Sequence, residues 1–272
     1  MRPLVTIVTP SYNQGQFLER TILSVLQQDY PNIEYIVMDG GSKDNSAEII
    51  KKYANKLAHW TSEKDKGQSD AINKGWKMGT GVYCCYLNSD DELVPGAVSA
   101  IVKVFEENPD VGVVYGDYTF VDENNKVIEE GKGNQTSFKN LLVHGQMPSI
   151  AQPSSFYRMD LVRKVNYIDE SLHLSMDYDL LLKLSKASKI VYIPRVISLF
   201  RLHGNAKSTT LAKRHWHESL RVRRKYNILY SWKAILMYVR FRVFNLLPDS
   251  WQNSIRRGRN SVNDKLILGN KD

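Results

Sequence analysis

The chain has 272 residues, 42% of them hydrophobic, 24% charged and 10% aromatic, a profile that excludes disorder over most of its length. A net charge of +8 would ordinarily raise nucleic acid or an anionic membrane as partner, but residues 213–272 hold 14 basic and 4 acidic side chains, leaving 23 against 25 in residues 1–212. The first three quarters therefore reads as a near-neutral globular domain, and the basicity belongs to a tail.

The opening, MRPLVTIVTPSYNQ, has one basic residue and an apolar run too short for a secretion signal. Its run LVTIVT (4–9) predicts a strand, followed by a helix over about 15–28 with Leu18, Ile22, Val25 and Leu26 on one face. IEYIVMD (33–39) predicts a second strand, and a helix near 44–54 follows, opened by the capping-type run Asp44-Asn45-Ser46. A short run around Leu57–Thr61 precedes a helix near 68–78. VYCCYL (82–87) precedes another at 95–107, with Pro95 in its first turn, and VGVVYG (111–116) comes next. Cys84 and Cys85 are adjacent in a strand, so their side chains point to opposite faces and read as strand filling.

Strands alternating with helices of this length imply a doubly wound, mostly parallel α/β sheet. Beyond residue 116 the pattern changes to a hairpin, YTFVDENNKVIEEG, turning at Asn124-Asn125. A looser region, a helix at about 177–187 and a strand pair near 189–201 complete a more irregular acceptor half. The expected division is 1–116 for nucleotide binding, 117–210 for the acceptor, and 211–272 as a basic amphipathic helical extension.

The carboxylates fall where ligands of such sheets bind, beyond the carboxyl ends of the strands. Asp39 ends the second strand in VMDGGSKD, and Asp90 and Asp91 follow the fourth in YLNSDDE. Like charges gathered on one rim need a cation or ligand donors to offset them, and oxygen ligands suit Mg2+ or Mn2+ holding a phosphate. Taken singly, each has an alternative: Asp39 as a turn former with Gly40-Gly41, and Asp90-Asp91 as a solvated loop or a helix cap.

The chain resembles the family 2 glycosyltransferases with the GT-A fold over about residues 4–205. The resemblance rests on six segments in order: residues 6–46, EKDKGQSDAINKGWKMGTG, YLNSDDELVPGA, QPSSFYRMDLVRKV, LSMDYDLLLKL and FRLHGNAKS. It implies that Asp39 accepts hydrogen bonds from the base of a nucleotide-sugar donor, with Pro10 and Tyr12 shaping that pocket. Asp70 would lie near the ribose and sugar with Asn73 close by, Asp90 would bind the metal with Asp91 its neighbour, and Arg201 and His203 would approach the diphosphate. Asp177 matches the general base. Transfer from a nucleotide diphosphate requires the leaving charge to be stabilised and a proton removed from the acceptor hydroxyl, which this set supplies.

Two departures stand out. The Asp-x-Asp region reads Asn88-Ser89-Asp90, so the first acid is an amide whose oxygen can contact ribose or metal without adding charge. The base segment reads Met176-Asp177, lacking the acid many members carry there, and Asp179 is a competing acid that equally suits capping or orienting the helix. No spacing among the histidines suggests zinc.

In the tail, Trp232, Ile235, Leu236, Val239 and Val243 fall at helical spacing among Lys233, Arg240 and Arg242. That pattern fits an anionic membrane surface or a helical subdomain packed on the core; nucleic acid is not expected. The expectation is a cytoplasmic, peripherally membrane-bound, inverting hexosyl- or N-acetylhexosaminyl-transferase. It would use Mn2+ or Mg2+ to move sugar from a nucleotide-sugar donor, a UDP-sugar in the first instance, to a glycan or lipid-linked acceptor of the cell surface. The alternatives are a catalytically inactive partner of a glycan synthase and a sugar nucleotidyltransferase.

Overall fold

The structure, a computed structural model, describes residues 2–144, 149–204 and 212–226. The first compact unit runs from Met1 to Val222 and the second from Arg223 to Asp272. The tail run from Trp232 to Val243, read as facing a membrane surface or packing on the core, lies outside the described residues, and among those described no helix is long and apolar enough to cross a membrane.

Four strands form a parallel half-sheet in the order β3 (His59–Ser62), β2 (Ile33–Asp39), β1 (Val5–Ser11) and β4 (Tyr83–Tyr86). Alternation sends Val5 and Ile7 into one core and Val8 to the opposite face. On the first face they meet Leu18, Ile22 and Val25 of α1 (Gly15–Leu26), Ile49 and Ile50 of α2 (Ser46–Tyr53), and Val98, Ile101 and Phe105 of α4 (Ala97–Glu107). On the other, α3 (Gln68–Met78) lies so close that a Cβ at Gly75 would meet Val8 Cγ1 at 2.6 Å. Trp76 of α3 is fully buried, stands edge-on to Tyr86 and Tyr157, and donates its indole N–H to the Cys85 carbonyl at 3.1 Å. Removing such a ring costs about 3–5 kcal/mol.

The N-termini of α1 and α2 are tied by one side chain: Asp44 accepts the Ser46 N–H and hydroxyl on one oxygen and the Gly15 N–H on the other. Cys84 and Cys85 are both buried and free, as strand filling predicts.

The second half of the sheet differs from the sequence reading in two places. The looser region contains a strand, β8 (Ser155–Arg158), inserted antiparallel between β4 and β6 (Val111–Val121), so the sheet is mixed at its centre. The strand pair expected near 189–201 is one strand, β9 (Lys189–Arg201), parallel to β6 along its length. Pro194 does not break it because the register jumps there: Gly116 pairs Ile193 and Asp117 pairs Val196, leaving Pro194-Arg195 as a bulge. β5 (Glu92–Leu93) joins the far edge of β9, and β7 (Val127–Gly131) closes the expected hairpin with β6. The remaining α-helices among the described residues are α5 (Phe138–His144), α6 (Met159–Lys164), α7 (Met176–Ala187) and α8 (Ala212–Arg224).

Candidate active site

Register places Ser11, Asp39 and Ser62 side by side at the carboxyl ends of β1, β2 and β3. Asp39 is buried, and its carboxylate accepts the Ser42 N–H (3.0 Å), the Ser42 hydroxyl (2.5 Å) and the Ser62 hydroxyl (2.7 Å). Both the turn-forming and the ligand-facing readings of Asp39 are compatible with that geometry, because a carboxylate offers about four acceptor positions and three are used. Gly41 makes the turn possible: its φ is +79° and a Cβ there would press on the Lys64 main-chain nitrogen at 3.2 Å. Pro10 is buried at the end of β1, whereas the Tyr12 ring beyond it is 58% exposed. Ser11 Oγ and Gln14 Oε1, flanking Tyr12, are buried without a protein hydrogen-bond partner.

A second network runs from α3 across the end of β4. Asn88 Oδ1 accepts Gln68 Nε2 at 2.7 Å, and its Nδ2 donates to Gln152 Oε1 (3.1 Å) and Asp91 Oδ2 (3.3 Å). The oxygen expected to contact ribose or metal is thus occupied by Gln68. Asp91 is buried, and its other oxygen accepts the Arg201 N–H at 3.0 Å. Burial and the adjacent Asp90 push the Asp91 carboxyl well above the usual carboxylate range.

Arg201 is itself buried and committed to the protein. Its guanidinium donates to the Asp90 carbonyl (2.8 Å), the Asp122 carbonyl (2.6 Å) and Glu92, and it lies over the Phe17 ring. Burial, reinforced by Arg20 nearby, lowers its pKa. Arg201, expected with His203 at the diphosphate, here braces the loop carrying Asp90. His203 shares a hydrogen bond with Asp90 Oδ2 at 3.0 Å and packs on Phe17.

The remaining acids divide. Asp70, in the first turn of α3, accepts the Lys66 N–H (2.9 Å) and pairs with Lys74 (2.8 Å). Burial opposes ionisation there, but Lys74 and the Lys66 N–H hold its carboxyl below the usual range. Asn73 joins α3 to the segment before α7, donating to Ile168 O and Glu170 Oε1 and accepting the Ile168 N–H. Asp177 lies in the first turn of α7, half-buried, with Oδ1 accepting the Tyr178 N–H at 2.9 Å. Its charge, after burial, helps raise the pKa of Tyr86 and Tyr157. Asp179 is buried and pairs with Lys183 at 2.8 Å.

The Glycosyl transferase family 2 model matches residues 6–165, more than half of the chain. The chain belongs to glycosyltransferase family 2. An uncharacterised glycosyltransferase of Rickettsia typhi is 31% identical over 226 residues, covering 77% of this chain and 67% of that protein. The chondroitin synthase of Pasteurella multocida is 29% identical over 259 residues, covering 91% of this chain but 26% of the synthase. Among solved structures, Staphylococcus aureus TarS with UDP-GlcNAc superposes with a TM-score of 0.67 at 17% identity, covering 85% of this chain and 68% of that one. The mannosyltransferase of Pyrobaculum calidifontis with GDP-Man and Mn2+ gives 0.63 at 16%, covering 96% and 81%. The architecture is the GT-A fold.

Several residues hydrogen-bonded to the candidate residues of this glycosyltransferase, or to the segments that carry them, were not singled out by its motifs. Ser62 ends a short apolar run and has no motif around it, and Gln152 sits in QPSSFY, where only the segment was legible. Its amide links Asn88 to the Tyr86 carbonyl (2.8 Å). Glu92 follows the acidic pair and resembles a solvated charge, yet it anchors Arg201 and Asn125. Glu218 of α8 was placed in the basic extension, but its carboxylate reaches the loop before Asp177.

Proposed function

We propose that the chain is an inverting glycosyltransferase moving a hexosyl or N-acetylhexosaminyl group from a UDP-sugar to an acceptor hydroxyl of a surface polysaccharide or lipid-linked glycan. The observation that carries the reading is the pairing of Asp90 with His203 at 3.0 Å just beyond β4, in the same parallel half-sheet whose β2 ends at Asp39. A UDP donor is favoured by the likeness to TarS, which binds UDP-GlcNAc.

A divalent cation fits one part of this rim. Among the described residues no group of three or more His, Cys, Asp and Glu gathers as a metal site, but the Asp90 carboxylate and the His203 imidazole offer two ligands at one point. Mg2+ and Mn2+ accept such partial sets, with phosphate and water completing the shell. Asp91, buried and bound to the Arg201 N–H, does not fit as a ligand. A cation held by Asp90 and His203 would stabilise the charge growing on the leaving diphosphate.

The chain's own groups supply the rest. Tyr12 offers an exposed ring for the base to stack on, and Asp39 offers its fourth acceptor position to a base N–H. Ser11 Oγ and Gln14 Oε1, buried without protein partners, are donor and acceptor for the same nucleoside. Asp70, held below the usual carboxylate range by Lys74 and the Lys66 N–H against its burial, would accept hydrogen bonds from the hydroxyls of ribose and sugar. Asp177 takes the proton from the acceptor hydroxyl as its oxygen attacks the anomeric carbon, and a single displacement inverts that centre. The basic tail is the natural candidate for holding the enzyme to the cytoplasmic membrane surface where lipid-linked acceptors are presented.

The test is nucleotide release from UDP-GlcNAc, UDP-glucose, UDP-glucuronic acid and GDP-mannose with Mn2+, and the anomeric configuration of the product by proton NMR. Release of UDP with inversion is expected. Retention of configuration, or no release from any of the four, would contradict the reading.

A further inference from the structure

The loop leading into α7 is fastened by a residue from the far end of the domain. Glu218 of α8 accepts three successive backbone N–H groups, from His173 (3.1 Å), Leu174 (2.8 Å) and Ser175 (3.0 Å). Burial alone would raise its pKa, but these N–H groups, helped by His173, bring it below the usual glutamate value. A carboxylate that gathers three donors makes charge-assisted bonds, roughly twice as strong as neutral ones. Next to it, Ser219 Oγ shares a 2.9 Å hydrogen bond with Ser175 Oγ, and Arg221 donates to the Ser171 carbonyl at 3.0 Å.

Ser175 is the N-cap of α7, and a serine there ordinarily turns its hydroxyl onto its own first turn. Here the side chain makes no such cap bond and engages Ser219 instead. The start of α7 is therefore set from α8, and Asp177 stands two residues past the last N–H that Glu218 holds. The opposite side of the same loop is fixed by α3, where Ser69 donates to the Leu172 carbonyl at 3.2 Å. The loop before Asp177 is thus held by α3 on one side and by α8 on the other.

We propose that Glu218 is a positioning residue for Asp177: by holding the N–H groups of residues 173–175 it sets where the α7 first turn presents the Asp177 carboxylate. The proposal rests on the reading of Asp177 as general base. Proton transfer depends on distance on a scale of about 1 Å, so loosening this anchor lowers the chemical step without touching donor affinity.

The experiment uses the full chain and the variants Glu218→Gln, Ser219→Ala, Asp177→Asn and the double variant Glu218→Gln/Asp177→Asn. Amide exchange read by mass spectrometry should accelerate in peptides spanning 171–180 in Glu218→Gln and more weakly in Ser219→Ala, with the β1 to β4 peptides unchanged. With the donor that turns over fastest among the four named above, Glu218→Gln should lower kcat by about tenfold and leave the donor KM within about twofold. In the Asp177→Asn background the Glu218→Gln change should add almost nothing, because both act on one proton transfer. Unchanged exchange at 171–180, an unchanged kcat, or a loss that adds fully to that of Asp177→Asn would overturn the proposal. Wild-type turnover in Asp177→Asn would instead overturn the base assignment, and the exchange result would still judge whether Glu218 holds the loop. No nucleotide release from any donor overturns the enzymatic reading and the positioning role with it.

Discussion

Asp91 and Arg201 hold each other mainly through the backbone: Asp91 Oδ1 accepts the Arg201 N–H at 3.0 Å, while Arg201 Nε donates to the carbonyl of Asp90 at 2.8 Å. The turn that carries Asp90 is thereby fastened to the end of β9, two residues before His203. The two adjacent acids consequently do different work, Asp90 facing His203 and Asp91 turned into the protein.

Asp91→Ala should therefore act as a stability mutation. It strands the buried Arg201 N–H and Asn88 amide, a loss of about 3 kcal/mol and a fall in unfolding midpoint of roughly 6–12 °C for a domain of this size. Circular dichroism melts check it, and an unchanged midpoint would show that Asp91 is not part of the brace.

Asp177 and Asp179 separate in the same way. Asp177→Asn should lower kcat about 10²- to 10⁴-fold, the usual worth of a general base, with the unfolding midpoint retained. Asp179→Asn removes the partner of Lys183 from a fully buried site and should lower the midpoint while turnover persists. Steady-state kinetics beside melts on both variants tests the assignment, and the reverse pattern would exchange their roles.

The contrast between these acids marks what was legible in the chain. The first half of the sheet followed from periodicity because β1 to β4 and their helices each bury a regular apolar set, and because turn chemistry marks where Asp39 and Asp90 must emerge. Asp91, Asn88 and Arg201 were given ligand-facing roles because the motif places them on the rim. Which way a rim side chain turns depends on Gln68, Gln152 and Glu92, which arrive from distant segments without any periodic signal. β8 and the bulge at Pro194-Arg195 were hidden for a related reason, since a four-residue strand and a proline-bearing strand both score as irregular. Glu218 was masked by its surroundings, KRHWHESLRVRRKY, where one acid among basic residues reads as a solvated face.

Gly116 gives a test of the β6–β9 register. A Cβ there would sit 2.5 Å from the Arg195 carbonyl and 2.6 Å from Ile197 Cγ1, so the bulge at Pro194-Arg195 requires glycine opposite it. Gly116→Ala should cost about 1–3 kcal/mol by overpacking. Urea unfolding should show a lower midpoint with the same m-value; an unchanged midpoint would mean the two strands are not so closely paired.

The Glu218 anchor carries a pH signature of defined sign. Its pKa is lowered on folding, so the stability it contributes is present above the ordinary value of 4.5 and is lost as pH falls through the lower folded value. Amide exchange at residues 171–178, corrected for intrinsic rates, should stay slow down to about that value and accelerate below it in the wild type. Glu218→Gln should show no such acid step. An acid step of equal size in the variant would assign it to another group.

The most direct measurement of the central claim is thermal unfolding of the full chain with UDP, GDP, dTDP or CMP, with and without Mn2+, in the wild type and in Asp90→Ala. A ligand present at about a hundred times its Kd adds roughly 2.7 kcal/mol, enough to read as a rise in midpoint. The account predicts a rise with UDP that needs Mn2+ and disappears in Asp90→Ala while the variant's own midpoint stays near wild type. A rise with UDP that survives Asp90→Ala, or no rise with any nucleotide in the presence of Mn2+, would contradict it.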